Sequence, residues 1–203
     1  QSAPIVSSSV KEIATPPVPP LSPSERAALL DASASVLRSA LVNILCHAPA
    51  GSPLRSISGS GVIIDQKGII LTNAHIAQNF LLKNRDVSCL IRAGSPATDA
   101  YEASLIYIPS AWIQANAKIL TEVNPRGTGE YDFAFLSISK SVTKDKLPSS
   151  FPFIPLATSP SNIGTPVVIA SYGAQFLESS QIQSSLFPTV VFGSVKNVFT
   201  FAS

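Results

Sequence analysis

Ser58-Gly59-Ser60-Gly61-Val62-Ile63-Ile64-Asp65, followed after Gln66-Lys67 by Gly68-Ile69-Ile70-Leu71-Thr72-Asn73-Ala74-His75, decides the fold. Two apolar, largely β-branched runs flank Asp65-Gln66-Lys67-Gly68, whose residue types suit a tight turn, so the segment reads as a β-hairpin. Its second strand ends in a small residue followed by an imidazole. Ala74 leaves room for close backbone packing, which places His75 at the rim of a β structure facing a cleft. Asn73 to about Leu82 can form a helical turn.

Short strands separated by turn residues continue on both sides. Leu41–Cys46 precedes the hairpin, and Val87–Arg92, Ala103–Ile108 and Phe133–Ile138 follow it. A connector rich in Lys and Ser, 139–150, leads to a second series at Phe153–Leu156, Pro166–Tyr172 and Pro188–Phe201. Six strands, a connector and a new series suggest two barrels or sandwiches. Residues 1–21 are rich in Ser and Pro and read as a linker, because proline lacks the N–H that a ladder needs. Ser22-Pro23-Ser24-Glu25 is a capping-box pattern opening a helix to about Leu37, within a segment 22–40.

A second chemical signal is Glu130-Tyr131-Asp132-Phe133-Ala134-Phe135-Leu136-Ser137-Ile138. A carboxylate opens a strand whose Ala134, Leu136 and Ile138 share a face. It lies 57 residues after His75. That interval implies an extended insert, including 101–116 with the single tryptophan, Trp112.

Together these segments resemble the trypsin-like serine peptidases of chymotrypsin fold, and the 58–75 stretch is most similar to their bacterial HtrA-type branch. The resemblance implies an all-β fold: a double antiparallel β-barrel, with the first barrel over 41–138 and an incomplete second one over 151–203. It further implies peptide-bond hydrolysis through an acyl-serine intermediate, with His75 as general base and Asp132 orienting it. In that mechanism a neutral imidazole takes the serine proton while a carboxylate fixes its tautomer and stabilises the imidazolium. Peptide or protein is the implied substrate, with no cofactor and no metal.

The family's Gly-x-Ser-Gly-Gly-like loop, which carries the nucleophile and oxyanion amides, does not occur in these 203 residues. Gly59-Ser60-Gly61 belongs to the strand before His75, Gly193-Ser194-Val195 lies between ordinary strands, and Ser203 has no amides after it. The expectation is a chain truncated ahead of its serine and inactive as it stands. The competing reading is a peptidase-like binding or scaffold module that never had a nucleophile.

Composition narrows the rest. Hydrophobic residues make up 45% and charged residues 13%, and the formal charge is +2 from 14 basic and 12 acidic side chains. No basic block marks a nucleic-acid or anionic-lipid surface, and no apolar run approaches the length of a membrane span. With no Met and a start at Gln1, the expectation is a processed piece of a longer precursor, extracytoplasmic by secretion, periplasmic export or an upstream anchor. Cys46 and Cys89, 43 residues apart, form no metal-ligand spacing. They are either two small buried side chains or a disulfide suited to an oxidising compartment. His47, beside Cys46, has no catalytic context. Oligomeric state is not encoded in any pattern of the sequence.

Overall fold

The computed structural model describes residues 22–116, 129–174 and 177–199. The expected linker 1–21 and the end of the Pro188–Phe201 strand fall outside them. The first element of the described residues is α1 (Pro23–Ala40), opened by a complete capping box. The Glu25 amide donates to Ser22 Oγ at 3.3 Å, and Glu25 Oε2 accepts from the Ser22 amide at 2.8 Å. Orphan amides of the first turn are thereby satisfied. The helix runs three residues past the expected end, and Ala34 and Ala40 are its buried residues.

Six antiparallel strands follow: β1 (Leu41–His47), β2 (Ile57–Asp65), β3 (Ile69–Thr72), β4 (Ser88–Ala93), β5 (Thr98–Tyr107) and β6 (Ala134–Ser141). They close into a barrel in the order β1-β2-β3-β6-β5-β4. Inward residues such as Val42, Ile44, Ile63, Ile70, Ile91, Leu136 and Ile138 fill it. Gly61 is needed there, since a Cβ would stand 2.7 Å from Ile70 Cγ2 and 3.2 Å from Val42 Cγ2. The β2–β3 turn ends in Gly68 at φ +82°, a backbone region that other residues rarely adopt. Phe151 packs over Gly68 and meets Tyr101 edge-on at 5.5 Å, closing the barrel end.

The described remainder of the chain forms α4 (Ser179–Ser184) and a two-stranded sheet, β7 (Pro166–Ser171) with β8 (Thr189–Ser194). A second core cluster, Leu41, Ala97, Tyr172 and Leu186, joins this unit to the barrel.

Three expectations need correction. Phe153–Leu156 is not a strand, because Pro152 and Pro155 lack the N–H groups of a ladder. Only isolated bonds hold this stretch to the hairpin, Phe151 N–H to Gln66 O at 2.9 Å and Ile154 N–H to Ile63 O at 2.9 Å. Residues 101–116 are no extended insert: Tyr101–Tyr107 lie within β5, and α3 (Ser110–Asn116) buries Trp112. The polar connector begins later than 139, since Ser139–Ser141 continue β6 against β5, with Ser141 opposite Tyr101.

Candidate active site

Strand register explains how residues 57 positions apart meet. β3 pairs with β6 so that Thr72 lies opposite Ala134. The chain leaving β3 and the chain entering β6 are therefore neighbours at the same barrel rim, with Asn73-Ala74-His75 on one and Asp132-Phe133 on the other. Apolar alternation sets this register, because a slip of one residue would turn Ile70 and Leu136, both fully buried, toward the outer face.

His75 sits in the single turn α2 (Ala74–Ala77), which a 3-10 segment, Gln78–Arg85, continues. Its ring Nδ1 lies 2.7 Å from Asp132 Oδ2, and its backbone N–H donates to Asp132 Oδ1 at 2.9 Å. An ionised carboxylate is an acceptor only, so Nδ1 carries the proton, and in the neutral ring Nε2 presents a lone pair. Asp132 thus holds one residue twice, by main chain and by ring. Asn73 Nδ2 adds bonds to Asp132 O at 3.2 Å and to Asp132 Oδ2 at 3.3 Å. The His75 side chain is 47% exposed and the Asp132 side chain 18%, so the carboxylate is the more shielded partner.

The imidazole opens on a cleft of about 480 Å³. Gly59, Ser60 and Ile76 line it on the barrel side, and Tyr172, Gly173 and Ile182 line it on the other. Two bonds from Tyr172 span the junction: its N–H donates to Ser60 Oγ at 2.9 Å and its phenol to Gly94 O at 2.7 Å. Burial pushes the Tyr172 phenol above its ordinary value, and the nearby Arg92 charge partly opposes that rise.

The structure brings both expected catalytic residues together. It joins Cys46 to Cys89 as a disulfide between paired positions of β1 and β4. His47 ends β1 opposite Ser88, away from the cleft lining. No metal-binding cluster of His, Cys, Asp and Glu occurs among the described residues. Asn73 had no role assigned from sequence, although a polar side chain two positions before the histidine is the signal that could have found it. Ser60 and Tyr172 carried no comparable signal.

No curated protein matches the chain. A family model described as trypsin-like peptidase domain matches residues 59–200, which include His75, Asp132 and both sides of the cleft. The chain belongs to the trypsin-like peptidase domain family.

Proposed function

We propose that these residues are the histidine- and aspartate-bearing portion of a serine endopeptidase of the HtrA-type branch, acting on peptide or protein substrates. The nucleophile would come from polypeptide not contained in the 203 residues, leaving this chain inactive by itself. The observation that carries the reading is the 2.7 Å His75–Asp132 couple beside an open cleft. In that arrangement Nε2 accepts the proton of an entering serine hydroxyl as its oxygen attacks the scissile carbonyl. The carboxylate at Nδ1 stabilises the imidazolium, which then protonates the leaving amine. Water repeats the sequence on the acyl-enzyme. The Cys46–Cys89 disulfide supports an extracytoplasmic setting, where such bonds persist.

A fluorophosphonate probe tests the proposal. It should label a longer form of the protein carrying a Gly-x-Ser-Gly-Gly segment, His75→Ala should abolish that labelling, and the 203-residue chain should remain unlabelled. Loss of the nucleophile in such triads costs about 10⁶ in rate. Labelling at a serine within residues 1–203 would overturn the assignment, and an unlabelled longer form would favour a binding or scaffold module.

A further inference from the structure

We propose that Arg92 is a clamp across the cleft: one buried guanidinium holds both of its walls. The far wall includes Ile182 of α4, a helix of six residues with no fully buried side chain. So short a helix does not hold itself in water. Its first turn is closed by Glu178 and Gln181 through a capping box, Ser185 N–H donates to Gln181 O, and the carbonyls of Ile182 and Gln183 are met from the barrel.

Arg92, on β4, is 2% exposed. Its Nη1 donates to Ile182 O at 2.8 Å, and its Nη2 to Gln183 O at 2.6 Å and Ala97 O at 2.6 Å. A cation at a helix C-terminus has the favourable sign, and the planar fork suits several carbonyls at once. Nε lies 3.2 Å from Asp99 Oδ1, an ion pair without hydrogen-bond geometry.

The same guanidinium reaches the near wall. Nη1 lies 3.4 Å from Oδ1 of the fully buried Asn43, whose Nδ2 donates to Ser58 Oγ at 2.9 Å and Gly59 O at 2.9 Å. Ser58 and Gly59 line the cleft opposite Ile182. A continuous polar chain therefore runs from α4 through Arg92 and Asn43 to β2, beneath the cleft that His75 faces. Cleft width follows from this chain. Its relevance to catalysis rests on the peptidase reading; the clamp itself does not.

Amide hydrogen exchange on the intact 203-residue chain tests the clamp. Arg92→Met should accelerate exchange at 179–187 by about tenfold or more, as expected for losing charge-assisted bonds, with β3 and β6 changed less than about twofold. Arg92→Lys, which keeps the charge and loses the fork, should fall between. NOEs from the Ile182 methyls to Tyr172 and Leu186 should weaken in the Met variant. Uniform acceleration across all strands, or none at 179–187, would overturn the proposal. Should the variants not fold, the wild-type protein still decides: hindered, separately resolved Arg92 Nη–H signals support the clamp, and a single averaged signal refutes it. None of these readouts depends on turnover, so failure of the peptidase reading would leave them unaltered.

Discussion

Gly59→Ala should disturb the candidate site through the residue after His75. A Cβ built on Gly59 stands 2.7 Å from both Cδ1 and Cγ1 of Ile76, and 3.2 Å from its Cγ2. Favourable carbon contacts begin near 3.5 Å, so the Ile76 side chain must retreat by roughly 1 Å. Ile76 is 7% exposed and packs in the barrel cluster, which leaves little space for that retreat. Three of its carbons face the new methyl, so rotating one terminal group does not relieve the overlap. The remaining relief is to lift α2, which carries His75.

Overpacking of this kind costs about 1–3 kcal/mol, and replacing a strand glycine by alanine returns about 0.5–1 kcal/mol. The expected net loss is about 1–2 kcal/mol, read as a lower urea midpoint at unchanged slope. The His75 Nδ1 proton should shift in NMR as the 2.7 Å bond to Asp132 is strained. Ile76→Ala removes all three clashing carbons and costs about 2–5 kcal/mol alone. In the double variant the two losses should fall short of additivity by about 1.5–3 kcal/mol, because the clash no longer exists while the gain from replacing glycine remains. Full additivity, or a Gly59→Ala protein as stable as wild type, would refute the reasoning that Gly59 is the seat on which the His75 turn rests.

Reduction of Cys46–Cys89, which closes a loop across 43 positions, should cost about 2–4 kcal/mol, measured as the urea midpoint with and without reductant. Hydrogen bonds from Ser22 hold the Glu25 carboxyl below its ordinary value of 4.5. The stabilisation is therefore present above that value and lost as pH falls through the folded one; exchange at residues 23–30 should quicken on acidification, and Ser22→Ala should flatten the response. Burial raises the Tyr172 phenol above 10.0, so its contribution is intact below that pH and disappears as pH rises through the higher folded value. The urea midpoint should decline above about pH 10 in wild type and less steeply in Tyr172→Phe, and identical alkaline profiles would contradict the role assigned to burial.

Local grammar made the barrel legible. The Ser22–Glu25 capping box, the Asp65–Gly68 turn and the alternation in Ala134, Leu136 and Ile138 each rest on contacts within a few residues, and each has its expected geometry. Where two local signals compete, the stronger physical constraint is the one to follow. Phe153–Leu156 has the apolar content of a strand, but proline at 152 and 155 removes the donors, and that chemistry prevails. Ser139–Ser141 have loop composition, yet β5 supplies partners, with Lys140 Nζ 3.5 Å from Glu102 Oε2 on the exposed face. There tertiary pairing overrides composition.

The candidate site and the junction behind it differ in legibility for one physical reason. His75 and Asp132 are separated by 57 positions, but their distance is set by the β3–β6 register, and that register is written in the apolar periodicity of both strands. Reading the strands correctly therefore locates the couple, whatever the intervening chain does. Arg92, Asn43 and Tyr172 follow no period. Arg92 and Asn43 are single polar residues inside apolar strands, Tyr172 stands just past the end of one, and all three are buried at 3% exposure or less. Each is satisfied by backbone groups or hydroxyls far away in sequence, such as Ile182 O for Arg92, Gly59 O for Asn43 and Gly94 O for Tyr172. Carbonyls are present at every position, so no pattern of residue types can announce such a partner. What the sequence does offer is the anomaly itself: an arginine in Cys89-Leu90-Ile91-Arg92-Ala93 must find compensation for its burial, and a long planar fork reaching across a junction is the compensation available.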